Sequence, residues 1–260
     1  MLPYDAHTHL HFNELKNVDW EQYFKNVSRV SVNGTHPDDW ESVADMTLAH
    51  PDQVIPQFGI HPWKVKETPN EWEHRLRDLL KKFPIAGVGE IGLDKWIKDY
   101  DLALQKSIML TQIEIANEFA RPVTIHCLKA WGTLKELLLE SPIQRGFLLH
   151  AYSGPAEWIE EFAKMGAYFS FSPYFLYERK AERLTTFKKV PLDRLLIETD
   201  APAMLGPPES WSLEQNLFSK KHQHPNNIRK VYERYAEASG IPLEKLTLRC
   251  RNNFLWLFRY

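Results

Sequence analysis

Cysteine is scarce in this chain: Cys127 and Cys250 are its two thiols. Two thiols cannot build the disulfide framework that holds small secreted scaffolds together. No apolar run approaches the roughly 18 residues needed to cross a bilayer as a helix, so no membrane span or membrane partner is expected. Neither sign of charge dominates, with 32 basic against 34 acidic residues and a net charge of −2. The chain as a whole therefore has no strong attraction for nucleic acid or an anionic membrane, and local charge has to carry any such preference. Solenoid-type repeats and low-complexity tracts are missing as well. The opening Met1-Leu2-Pro3-Tyr4-Asp5 has no cationic leader followed by an apolar stretch, so no secretory signal is expected and a cytoplasmic location is.

What is present suits a large core: 260 residues, 43% of them hydrophobic. That size fits one domain over residues 1–260. Short apolar runs ending in polar residues recur, each followed by a helical pattern. They predict strands over 2–7, 27–34, 54–59, 85–90, 122–126, 146–150, 167–172 and 194–199. Helices are expected over 38–49, 70–82, 101–118, 132–139, 155–164, 179–187, 227–239 and 242–257, with a short helical segment inside 10–26. Eight strands alternating with helices imply a parallel sheet. An open doubly wound sheet fits that count, but a closed (β/α)8 TIM barrel is favoured, because chemically suggestive residues end nearly every strand from first to last. Closure alone brings the first and eighth strands together.

The first strand ends in Asp5-Ala6-His7-Thr8-His9. Alternation along a strand puts His7 and His9 on one side, with Asp5 one step deeper on that side. The other strand ends supply His61, Glu90, His126, His150 and Asp200. Four imidazoles (His7, His9, His126, His150) and two carboxylates exceed what one tetrahedral ion needs. Two divalent ions sharing a bridging carboxylate would use them all, and Glu90 is the best bridge. Hydrolysis by an ion-activated water follows. The His-rich set suits Zn, Mn, Co or Ni better than Mg, and does not choose among them. Cys127, beside His126, is expected to point toward the helices as a packing residue. Asp5 and Asp94 are candidates to orient imidazoles or loops.

Taken in order, Asp5-x-His7-x-His9, Gly59-Ile60-His61-Pro62, Gly89-Glu90-Ile91-Gly92-Leu93-Asp94, Ile125-His126-Cys127, His150-Ala151-Tyr152-Ser153-Gly154 and Glu198-Thr199-Asp200-Ala201-Pro202 resemble the TatD family of metal-dependent hydrolases. These are TIM barrels of the amidohydrolase superfamily. The resemblance runs from Asp5 to the closing stretch Asn252–Phe258. It implies that His7, His9, Glu90, His126, His150 and Asp200 ligate metal, with Glu90 and Asp200 catalytic and Asp200 orienting or deprotonating the attacking water. It implies a substrate-facing His61, and a metal-dependent DNase activity often directed at 3′ ends.

Two segments depart from the family pattern: Cys127-Leu128-Lys129-Ala130-Trp131 after the fifth strand, and His222-Gln223-His224-Pro225 after the eighth. Lys129 can replace a lost positive charge there, though without a planar fork. Lys129, Trp63 and Ser153 join His61 as expected substrate contacts. Aromatic and cationic residues share the strand-end loops: Trp63-Lys64, Lys95-Trp96-Ile97-Lys98, Lys129-Ala130-Trp131, and Trp211 with Lys220-Lys221-His222. Such pairing suits DNA or another phosphodiester, and single strands in particular. Packing tryptophans and solvated lysines would read the same way. The basic stretch of Arg179, Lys180, Arg183, Lys188 and Lys189 is interleaved with Glu178 and Glu182 and reads as a solvated face. An amide, ester or lactone hydrolase with the same ligands, and a silent metal-holding barrel, are the alternatives. No protein partner is implied.

Overall fold

The computed structural model describes residues 1–258. Its strands are β1 Tyr4–Thr8, β2 Arg29–Asn33, β3 Val54–Gln57, β4 Val88–Asp94, β5 Val123–Leu128, β6 Phe147–Leu149, β7 Ala167–Phe171 and β8 Leu195–Ile197. The helices are α1 Trp20–Asn26, α2 Trp40–Ala49, α3 Trp72–Lys82, α4 Leu102–Glu118, α5 Trp131–Glu140, α6 Ile159–Lys164, α7 Ala181–Phe187, α8 Leu213–Phe218, α9 Ile228–Ser239 and α10 Leu243–Leu257. The helix α8 lies in the loop after β8, where no helix was expected.

All strand pairs are parallel, in the order β1-β2-β3 and β4 through β8. Two seams close the ring into a (β/α)8 barrel. At the first, a bridge joins Gln57 to Gly87, and Phe58 N–H donates to the Gly87 carbonyl at 3.1 Å. At the second, Asp200 N–H donates to the His7 carbonyl at 3.0 Å and His9 N–H to that of Ala201 at 2.8 Å. The Asp5 carboxylate reinforces this seam by accepting from Thr199 N–H at 2.9 Å and Thr199 Oγ1 at 2.6 Å.

Valines, isoleucines and phenylalanines on the outer strand faces (Val30, Val32, Val88, Ile91, Val123, Ile125, Phe169, Ile197) join helix residues in the main core. The base of the barrel holds Ala6, Ile55, Leu148, Tyr168 and Leu196, plugged by Phe254, Leu257 and Phe258 at the end of the chain. Burying a side chain the size of Phe254 contributes roughly 2–3 kcal/mol. Above this layer the lining turns polar, toward the C-terminal ends of the strands.

Two strands depart from simple alternation. On β1, Asp5 pairs with Val30 and Thr8 with Val32, so three steps on β1 match two on β2. That extra residue is a β-bulge, which re-aims side chains. Asp5 therefore leaves the face of His7 and His9, correcting the expectation that it lies beneath them. On β4, Val88 pairs with Val123 and Ile91 with Ile125, again three steps against two. Val88 and Ile91 both face the outer core, so the extra residue turns Glu90 inward. The strand continues to Asp94, which pairs with Leu128, and Glu90 sits within it rather than at its end.

The closing helix is tied to β8 by Asn253, whose amide donates to the Leu192 carbonyl at 3.0 Å and the Leu195 carbonyl at 2.7 Å. Removing this amide leaves buried carbonyls unpaired. Asn253→Ala is expected to cost about 2 kcal/mol in urea unfolding, while the exposed neighbour Asn252→Ala changes stability by less than about 0.5 kcal/mol.

Candidate metal centre

Glu90 is the hub of the site. Its side chain is almost completely buried, and five imidazoles surround its two oxygens. Oε2 faces His7 Nε2 at 3.3 Å and His9 Nε2 at 3.2 Å. Oε1 faces His150 Nε2 at 2.9 Å, His126 Nδ1 at 3.1 Å and His61 Nε2 at 3.5 Å. Asp200 Oδ1 completes the first set, 3.5 Å from the Nε2 atoms of both His7 and His9.

These separations fit cations between the donors. A tetrahedral ion with bonds of about 2.0–2.1 Å sets neighbouring ligand atoms roughly 3.3–3.4 Å apart, close to the values around Oε2. The Nε2 atoms of His7 and His9 lie 3.2 Å apart. A cation between them lets both offer lone pairs, whereas without one a proton has to sit there. Groups of donors gather in this way as His7, His9 and Glu90; as His7, His150 and Asp200; and as His61, Glu90 and His126.

Most of the imidazoles are oriented from behind. His9 Nδ1 donates to the Asn33 carbonyl at 2.7 Å, and His126 Nε2 to Asp94 Oδ2 at 2.9 Å, leaving the other nitrogen of each for the centre. His150 turns Nδ1 toward Glu198 Oε1, 3.6 Å away. Glu198 is itself fully buried and accepts from Ala151 N–H at 3.0 Å and from the Ser170 hydroxyl. His61 differs: its Nδ1 accepts from Trp63 N–H at 3.2 Å, so a neutral ring carries its proton on Nε2. It then donates toward Glu90 instead of ligating, although it stands among the candidate donors.

Protonation follows the same logic. Burial alone would raise Glu90, but the His150, His61 and His7 imidazoles hold it well below the usual carboxylate range. Burial would likewise raise Asp200, and His9, His7 and His150 lower it. Against burial, Asp200 and Glu90 push His9 up to about 10. Burial and the His150 ring stacked at 4.1 Å lower His7. Burial takes His61 down to about 4, making it neutral near pH 7. A cluster that keeps both carboxylates ionised and draws protons toward His9, His126 and His150 calls for positive charge, which metal ions supply by displacing those protons.

The remaining sequence candidates sort differently. Lys129 is exposed at a left-handed corner, φ 57°, and Ser153 is half-buried. Left-handed φ also occurs at Ala151 (40°) and Asp200 (52°), so three non-glycine corners fall on the site's side of β5, β6 and β8. Cys127 is buried in the main core and burial raises its thiol, in keeping with packing. Lys64 is paired with Glu67 at 3.2 Å. Arg183 is not simply solvated, because it donates to the Ser153 carbonyl at 2.7 Å. Asn33 and Glu198 were missed. Glu198 was visible in Glu198-Thr199-Asp200 as a second carboxylate beside the chosen one, whereas the backbone carbonyl of Asn33 leaves no mark in a sequence.

His224 belongs to none of the donor groups of the centre. It is buried, and its Nδ1 caps the turn by accepting from Asn226 N–H at 3.1 Å. Burial lowers it from 6.5 to about 4. Between those values the unfolded chain binds a proton that the folded chain refuses, so stability falls as pH drops from 6.5 toward 4. Urea midpoints measured across that range are expected to fall less steeply for His224→Asn, which keeps an acceptor for Asn226, than for wild type. For the centre itself, calorimetric titration with Zn or Mn is expected to show uptake by wild type and by His61→Gln. Glu90→Ala and His126→Gln are expected to lose at least about tenfold in affinity. A loss in His61→Gln as deep as in His126→Gln would make His61 a ligand.

Comparison with known proteins gives one answer. YabD of Bacillus subtilis, described as an uncharacterized metal-dependent hydrolase, is 26% identical over 261 residues, 98% of each chain. Human deoxyribonuclease TATDN3 is 27% identical over 270 residues, 98% of this chain and 93% of its own. The crystal structure of YjjV, a TatD homologue from Escherichia coli, matches with a TM-score of 0.88 at 23% identity, covering 99% of this chain and 98% of that one. The family model for TatD-related DNases matches residues 4–259, and the chain belongs to that family.

Proposed function

We propose that this protein is a cytoplasmic metal-dependent phosphodiesterase that hydrolyses DNA, trimming 3′ ends, with two divalent ions bound about Glu90. The observation that carries this reading is the division of that carboxylate, one oxygen facing His7 and His9 and the other facing His126 and His150. His7, His9, Asp200 and Oε2 of Glu90 would hold one ion; His126, His150 and Oε1 would hold the other. When bound, such ions lower the pKa of water and stabilise the attacking and leaving oxygens of a displacement at phosphorus.

The chain's own groups do the rest. Asp200, kept ionised by His9, His7 and His150, orients the attacking water and accepts its proton. His61, neutral with its proton on Nε2, would turn that N–H from Glu90 to a non-bridging phosphate oxygen of the substrate. Ser153, half-buried in the loop after β6, would offer its hydroxyl to a phosphate oxygen. Lys95, Lys98, Lys129 and Lys220 have no carboxylate partner among the described residues. They supply the cationic rim that a phosphodiester needs and an acyl substrate does not. The name carried by the human relative supports DNA among phosphodiesters.

The test is a product assay on end-labelled single- and double-stranded DNA with Mg, Mn or Zn supplied, run beside phosphomonoester and lactone panels. Wild type is expected to shorten DNA from its 3′ ends. Glu90→Ala and Asp200→Asn are expected to lose at least about a thousandfold, and His61→Gln about a hundredfold in kcat. Equal residual activity in all proteins would trace the nuclease to a contaminant, and lactone turnover without DNA cleavage would transfer the site to acyl chemistry.

A further inference from the structure

Of the tryptophans in the strand-end loops, Trp131 and Trp211 serve the fold. Trp131 packs on Tyr152 with centroids 4.7 Å apart, and Trp211 donates to the Gly206 carbonyl at 2.9 Å. Trp63 and Trp96 are instead 50% and 60% exposed. Trp63 stands edge-on to His61, with centroids 5.1 Å apart, and 6.5 Å from His126.

Its orientation is not left to chance. Trp63 Nε1–H donates to Asp94 Oδ2 at 2.7 Å, the same oxygen that accepts His126 Nε2–H at 2.9 Å. The other oxygen, Oδ1, accepts Trp96 N–H at 2.6 Å. Asp94 is fully buried, and the Gln105 amide holds its backbone on both sides, accepting from Asp94 N–H at 2.9 Å and donating to the Asp94 carbonyl at 3.0 Å. A rigid carboxylate thus fixes a half-exposed indole on the rim and an imidazole of the centre through one atom.

We infer that Trp63 is a stacking subsite for the planar base next to the bond being cut, and that through Asp94 it is also a positioning residue for His126. This rests on the reading of the centre as acting on nucleic acid. An exposed indole offers any base a face irrespective of sequence. Because the N–H bond already holds the ring, little rotamer freedom is left to lose on binding. Sharing Oδ2 divides that oxygen's acceptor capacity between two donors, so losing the indole N–H alters how firmly His126 is held.

Two variants and two ligands separate the halves of the inference. Trp63→Phe keeps a ring face and loses the N–H, whereas Trp63→Leu loses both. The first readout is fluorescence anisotropy of a labelled single-stranded oligonucleotide on metal-free protein, against the same strand ending in an abasic 3′ residue. Trp63→Leu is expected to bind the normal strand about 5- to 100-fold more weakly, with no change for the abasic strand. Trp63→Phe is expected to stay within about threefold of wild type. The second readout is steady-state hydrolysis by the metal-loaded enzyme, where Trp63→Phe is expected to lower kcat several-fold with KM unchanged.

Equal weakening on both strands, or no base preference in wild type, would overturn the stacking subsite. A wild-type kcat in Trp63→Phe would overturn the link through Asp94. If metal-loaded wild type binds DNA but hydrolyses only other esters, the proposed activity fails while the anisotropy comparison still decides the subsite.

Discussion

A carboxylate in a closed protein interior stays ionised only where nearby charge and hydrogen bonds favour it, and Glu90 stays ionised among five imidazoles. That constraint organises the upper half of the barrel. Desolvating a charge costs several kcal/mol unless paired charge and hydrogen bonds return it. Around Glu90 the return comes from protons on His9, His126 and His150 when no ion is bound. Cations can replace those protons. The interior polarity that would weaken an ordinary core is here a preformed demand for metal.

Barrel closure and site assembly are one event. The hydrogen bonds that join β1 to β8 run through His7, His9, Asp200 and Ala201, so aligning the seam also aims the candidate ligands. Asp5, displaced from their face by the bulge, clamps Thr199 and holds the corner that presents Asp200. At the far end, Phe254, Leu257 and Phe258 seal the ring with apolar area. Stability and chemistry thus occupy opposite ends of the same strands, as usual in this architecture.

Much of this could be read from residue order. His7, His9, His150 and Asp200 stand at or just past strand ends, and His126 lies two residues inside the end of β5; that placement brings them together once the ring closes. Glu90 was identified for its residue type and motif, yet simple alternation from Val88 would turn it outward. The bulge that turns it in depends on pairing with β5, which no local pattern encodes. The same holds for the misplacement of Asp5. Helix α8 was missed because its six residues, Leu213–Phe218, are too few for a helical period to register. The rim tryptophans looked alike in sequence, and only their partners separate Trp63 from Trp131.

The departures from the family pattern fall where they leave the centre untouched. Cys127 points into the outer core, Lys129 stands at an exposed corner, and His224 caps a turn. None reaches a Glu90 oxygen within ion-pair distance. Of the candidate ligands, His7, His9 and Asp200 belong to the β1–β8 seam and His126 and His150 meet at Glu90, so altering one disturbs charge and neighbours together. The rim meets the centre at the oxygen that Asp94 shares between Trp63 and His126. Substrate preference can therefore change through exposed side chains at little cost in stability, while the hydrolytic core stays constant. A change at Trp63 is the exception, because it is transmitted inward.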